Sequence, residues 1–211
     1  MRQTMLSENT FGVNPTSPIV AMTRLLRAPR ELVFDALVEP EHLSRWSGPM
    51  DFTQSVCEVE LWRGGAYRSV LRAADGRELT FRGIYREVTR PKRLVYTERF
   101  DIDPHSSREH VVSVTLDERD GGTALMLTER LRSIEDRRAK VNVGAWEASL
   151  QTLDRLAEFV ESIGTESTQD NPERDWGLMP FECDERAQTS DRATGRSRAF
   201  ERFAELFGAR S

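Results

Sequence analysis

The chain has 211 residues, of which 38% are hydrophobic and 31% charged, with a formal net charge of −5. That is room for one domain plus a surplus, and an acidic balance with arginines and acids interspersed excludes a general nucleic-acid binder, which needs clustered Lys and Arg. No stretch approaches the ~18 consecutive apolar residues of a membrane span, and the first fifteen residues lack the basic and apolar runs of an export signal, so a cytoplasmic protein without membrane insertion is expected.

Residues 1–18 are polar, contain two prolines and show no periodicity, which predicts a flexible N-terminal tail. Ile19 to Leu26 (IVAMTRLL) reads as a first strand, and Pro29 opens a helix carrying Leu32, Val33, Phe34, Ala36 and Leu37. Val38-Glu39-Pro40 is a break, followed by a second short helix over Glu41 to Trp46. Strand signals then recur at Phe52–Trp62, Ala66–Arg72, Glu78–Val88, Arg93–Phe100, Glu109–Glu118 and Thr123–Leu131, with turn signals at Arg63-Gly64-Gly65, Ala74-Asp75-Gly76 and Asp120-Gly121-Gly122. From Ile134 to Ile163 the sequence predicts one long helix. Val143, Trp146, Leu150, Leu153, Leu156, Ala157 and Val160 form its single apolar stripe. These elements give an α+β fold: a curved antiparallel sheet with the long helix across its concave face. The domain is expected over 19–163. Residues 164–211 read as a polar, largely disordered extension, with an apolar island at Trp176–Phe181 and a possible short helix at 198–208. Through that extension a homodimer or a protein partner could be engaged.

Several motifs, in register, resemble the SRPBCC (START-like, helix-grip) superfamily, and within it the branch named after the activator of heat-shock-protein ATPase. They are Thr23 to Leu37 with its Ala28-Pro29; Pro40 to Trp46 with Gly48-Pro49; Arg63-Gly64-Gly65; Phe81-Arg82-Gly83 with Pro91 to Thr97; Gly121 to Leu125; and Gly144-Ala145-Trp146-Glu147. The last carries one residue more than the family's Gly-Trp. The resemblance covers about Ile19 to Ser162. It implies a helix-grip fold, with a seven-stranded antiparallel sheet around a long C-terminal helix, two short helices after the first strand, and an apolar cavity. It also implies activities ranging from hydrophobic-ligand and lipid binding to cyclase-type catalysis and co-chaperone binding, with a role in stress response among the expectations.

Strand alternation sorts the side chains independently of any family. Leu94, Tyr96, Glu98 and Phe100 share one face, as do His110, Val112, Val114 and Leu116, and Leu125, Leu127, Glu129 and Leu131. Tyr67, Ser69 and Leu71 share another, and Phe81 lies on the strand that follows. The candidate ligand contacts are therefore Trp46, Tyr67, Ser69, Phe81, Tyr96, Glu98, His110, Leu127, Glu129, Trp146 and Leu150, with Trp46 and Trp146 bracketing the cavity mouth. Glu98 has two readings. It pairs with His110 as an acid–base couple inside the cavity, or it sits at the mouth beside Arg99 or Arg130 with His110 on the rim.

No Walker loop, G-x-S-x-G elbow or dinucleotide fingerprint is present, and three scattered histidines do not make a metal site, so no cofactor or metal is expected. Cys57 and Cys183, out of metal-ligand spacing, read as reduced thiols, with Cys57 buried and inert. Binding of a hydrophobic small molecule or lipid without catalysis is the leading reading. A cyclase- or dehydratase-type enzyme and a co-chaperone-like interaction module are the alternatives.

Overall fold

Glu39 is both the end of one helix and the start of the next, because the residue before a proline is pushed out of the helical region. It takes φ −81° and ψ 125°, closing α1 (Arg30–Val38), and Pro40 then occupies the first position of α2 (Pro40–Trp46), where a missing N–H costs nothing. The computed structural model, which describes residues 9–101, 109–119, 121–142 and 145–166, places these two helices after the second strand of the chain. The strands are β1 (Asn9–Val13), β2 (Ile19–Leu26), β3 (Phe52–Val59), β4 (Ala66–Ala73), β5 (Glu78–Thr89), β6 (Arg93–Asp101), β7 (His110–Arg119) and β8 (Gly122–Arg130). They form one eight-stranded antiparallel sheet in the order β1-β2-β8-β7-β6-β5-β4-β3.

Three expectations need correction. The sheet has eight strands rather than seven, because part of the supposed tail is β1, paired with β2 from Asn9↔Arg24 to Val13↔Val20. Five residues with a glycine among them are too short to display alternation, and the phenyl ring of Phe11 supplies the anchor instead, stacked on Trp146 at 4.8 Å between centroids. The helix expected over 134–163 is described in two stretches, α3 (Ile134–Asn142) and α4 (Ala145–Glu166). Their inward chemistry differs: α3 points Arg137 at the backbone carbonyls of Asn14 and Pro15 and Lys140 at Glu129, whereas α4 carries the apolar stripe. Finally, the strand expected over Phe52–Trp62 stops at Val59, and α4 runs past Gly164 to Glu166. The apolar island at 176–181 and the helix at 198–208 lie outside the described residues.

The core sits between the inner face of β2, β6, β7 and β8 and the C-terminal half of α4. Met22 and Leu26, Leu94, Val112, Val114 and Leu116, and Leu125 are buried against Leu153, Leu156, Ala157 and Val160, with Val33, Phe34 and Ala36 of α1 closing one end. Each such aliphatic side chain contributes roughly 1.5–3 kcal/mol relative to exposure. One guanidinium ties the second short helix down. Arg155 of α4 donates to the carbonyls of Gly48 (2.8 Å), Pro49 (3.1 Å), Ser47 (3.3 Å) and Arg45 (3.3 Å), satisfying the turn between α2 and β3.

Gly83 on β5 is the tightest point of the sheet. A Cβ there would fall 1.7 Å from the Thr97 carbonyl oxygen of β6 and 2.6 Å from a ring carbon of Tyr67 on β4. Gly83→Ala is accordingly expected to destabilise the protein by on the order of 3 kcal/mol, read as a melting temperature lower by roughly 6–12 °C. A variant melting with the wild type would mean that the two strands are not this close.

Candidate functional site

Along α4 the residue sizes change halfway. Its C-terminal half inserts Leu153, Leu156 and Val160 into the core, but its N-terminal half turns Ala145, Ala148, Ser149 and Thr152 toward the sheet. Small side chains there cannot reach the strands opposite, and a cavity of about 320 Å³ remains. The two hydroxyls on that wall are satisfied by their own helix, Ser149 Oγ donating to the Ala145 carbonyl (3.2 Å) and Thr152 Oγ1 to that of Ala148 (2.8 Å). The opposite wall is built from Leu94, Val112, Val114, Leu125 and Leu127, and the roof from Leu37, Leu43 and Trp46 of the two short helices. The volume lies within the size range of small-molecule sites, and most of its lining is apolar.

Polar groups gather at one end because register brings them there. Tyr96 of β6 faces Val112 of β7, which faces Glu129 of β8; one row further along, Glu98 faces His110. His110 Nε2 stands 3.4 Å from Glu98 Oε1 and 3.7 Å from Glu129 Oε2, at ion-pair rather than aligned hydrogen-bond geometry, and it is buried without a hydrogen-bond partner. Lys140 of α3 reaches across to bond the Glu129 carboxylate, which is itself almost wholly buried. From the far side Tyr67 donates its hydroxyl to Glu98 Oε2 at 3.1 Å. It can lie flat across β5 to do so because its cross-strand neighbour is Gly83, which has no side chain.

The electrostatics follow from these contacts. Burial alone pushes the Glu98 carboxyl up, but His110, Lys140 and the Tyr67 hydroxyl together outweigh it and hold the group below its ordinary value. Burial, reinforced by Glu98, drives the Tyr67 phenol far up, so Tyr67 is a permanent donor at neutral pH. Burial likewise raises Tyr96, with Glu98 adding to it, and raises Tyr85. The three tyrosines pack on one another at 5.4–5.9 Å between centroids.

Of the residues singled out from sequence, Trp46, Tyr67, Ser69, Phe81, Tyr96, Glu98, Leu127 and Glu129 lie on the cavity wall. His110 lies behind the carboxylates rather than on the wall, and Leu150 packs at the edge of the core. Trp146 is not a mouth residue: it points away, onto Phe11. Trp46 is part of the roof, its indole N–H donating to the Ala36 carbonyl at 2.8 Å. The reading of Glu98 as an arginine-paired mouth residue with His110 on the rim is also corrected. Glu98 partners His110 and Tyr67, and the His110 side chain is only 10% exposed, with its Nε2 turned toward the Glu98 and Glu129 carboxylates. Cys57 is half-buried on the cavity wall rather than in the core, and Cys183 lies outside the described residues.

Tyr85, Lys140 and Gln54 were missed. Tyr85 shares the alternation of Phe81 and Gly83 and was within reach of that argument. Gln54, whose amide donates to Ser69 Oγ at 2.8 Å, precedes a break in the β3–β4 register that scrambles alternation. Lys140 carries no local signal, since its partner Glu129 lies on a different element. Among the described residues no group of three or more His, Cys, Asp or Glu is arranged to hold a metal, and no helix is long and apolar enough to cross a membrane.

An antiparallel sheet holding a C-terminal helix over a partly open interior, roofed by two short helices, defines the helix-grip class of α+β domain. The chain belongs to the family described as Activator of Hsp90 ATPase homolog 1-like protein, whose model matches residues 27–158. No curated protein matches the chain. Solved structures share the fold. A protein from Nitrosomonas europaea is 24% identical, with a TM-score of 0.62, covering 70% of this chain and 96% of its own. One from Rhodobacter sphaeroides is 23% identical, with a TM-score of 0.66, covering 74% and 99%. One from Chromobacterium violaceum is 29% identical, with a TM-score of 0.59, covering 68% and 97%. Fold and family together define a ligand-binding or activator-like domain.

A depressed carboxyl stabilises the fold fully above its unfolded-state value, here 4.5, and that stability fades as pH falls through the lower folded-state value. The stability difference between wild type and Glu98→Gln, from denaturant titrations across pH 3–5.5, should therefore shift progressively against the wild type as the pH falls below 4.5. A difference that stays constant down to pH 3 would contradict the charge arrangement described.

Proposed function

We propose that this domain binds a hydrophobic small molecule, of lipid or aromatic type, in the space between the sheet and the N-terminal half of α4. The observation that carries this reading is the cavity of about 320 Å³ walled by Leu94, Val112, Val114, Leu125 and Leu127 and left open by small residues on α4. Burying alkyl groups there contributes about 0.8 kcal/mol per methylene, enough to exceed the cost of association for a medium-length chain without any catalytic group. Trp46, Tyr67, Ser69, Phe81, Tyr96, Glu98, Leu127 and Glu129 are the proposed contacts.

An acid–base enzyme is the second reading, favoured by the convergence of Glu98, His110 and Tyr67 at the cavity end. Against it, His110 Nε2 is buried behind the carboxylates, out of reach of a guest, so its role is to hold Glu98 rather than to exchange a proton with a substrate. The binding reading takes precedence on that ground.

Nile red, a neutral apolar fluorophore, is expected to bind saturably at one site per chain and to be displaced by 1-decanol. Ala148→Leu, which keeps helix propensity while filling the void, should weaken Nile red at least about tenfold and raise or preserve the melting temperature. Nile red binding unaffected by Ala148→Leu, or no saturable binding in the wild type, would refute a site at this cavity.

A further inference from the structure

We propose that the cavity selects hydrophobic amines, with a protonated nitrogen seated on Glu98 and an apolar body laid along Leu94, Val114 and Leu127. This rests on the ligand-binding reading above and names the class of guest.

The charge census at the polar end carries the argument. Two carboxylates, Glu98 and Glu129, meet one lysine, Lys140, and that lysine is committed to Glu129. At the rim, the guanidinium of Arg68 lies 3.6 Å from the Glu58 carboxylate, so that cation is matched too. Glu98 is left with a phenol and an imidazole. The imidazole side chain is nine-tenths buried, and its Nε2 is aimed at both carboxylates with no hydrogen bond completed. Among the described residues no lysine or arginine is bonded to Glu98, whose carboxylate stands on the cavity wall.

Several donors facing the cavity are spent. The Tyr67 hydroxyl is given to Glu98, the Gln54 amide to Ser69, and the Ser149 and Thr152 hydroxyls to their own helix. At the Glu98 end the carboxylate oxygens and the phenolic oxygen of Tyr67 are acceptors, beside the phenol of Tyr96. An alkylamine is protonated at neutral pH, as a lysine is, and brings N–H donors together with a positive charge. The adjoining tyrosine rings, Tyr67 and Tyr96 at 5.4 Å and Tyr85 behind them, favour an organic cation through their electron-rich faces. A fatty acid meets the opposite situation: its carboxylate would sit beside Glu98 and Glu129 with Lys140 already engaged.

The test compares three probes of one chain length, decylamine, 1-decanol and decanoic acid, each displacing Nile red from the full-length protein at pH 7. Decylamine should bind at least about tenfold more tightly than 1-decanol, with decanoic acid weakest, and Glu98→Gln should bring the amine-to-alcohol ratio close to one. A wild-type ratio near or below one, or a ratio that survives Glu98→Gln in a variant with wild-type circular dichroism, overturns the amine proposal. Saturable 1-decanol binding in either of those cases leaves the cavity reading standing; failure of all three probes removes both.

Discussion

The structure depends on how one helix divides its inward face. From Leu153 onward α4 presents large aliphatic side chains that meet Met22, Leu116 and Leu125 and the first short helix, and this packing fixes the helix on the sheet. Before Leu153 it presents Ala145, Ala148, Ser149 and Thr152, which leave a gap to the strands. A helix with large residues throughout would be held more firmly and would enclose nothing. Stability and hollowness are thus assigned to consecutive turns of the same element, and neither needs a loop to arrange it.

Burying acids beside that hollow has its own requirements. A lone ionised carboxylate in an apolar setting would neutralise itself or unfold the site, so each must be matched. Glu129 is bonded by a lysine from α3, which also fastens that helix to the sheet, while the direct contacts of Glu98 are Tyr67 and His110, with Lys140 acting on it from further off. The difference between the two acids is one of reach: the Lys140 ammonium bonds Glu129 directly and acts on Glu98 only through space.

Much of this was legible in the chain. Alternation placed Leu94, Tyr96 and Glu98 on one face and His110, Val112 and Val114 opposite them, and the observed register joins those two rows as neighbours. The two short helices were announced by Pro29 and Pro40, since proline acts locally and its effect survives any tertiary context. What escaped were features created by partners distant in sequence. Asn9–Val13 becomes a strand because β2 offers an edge and Trp146 offers a ring, and neither is visible in five residues. Lys140 sits in a run so charged that nothing marks it as the one facing inward. Trp146 fits the apolar stripe, but a stripe tells only which side of a helix is covered, not by what. The family resemblance implies the cavity, and its cause, small residues at the inward positions before Leu153, is carried by the sequence itself.

The guanidinium of Arg155, which gathers the carbonyls of Arg45, Ser47, Gly48 and Pro49, has a consequence for the shape of the interior. Ser47, Gly48 and Pro49 border the hollow, and they are riveted to α4, which forms another of its walls. Two parts of the lining that are about a hundred residues apart in the chain therefore form one piece, clamped by a side chain that does not itself line the space.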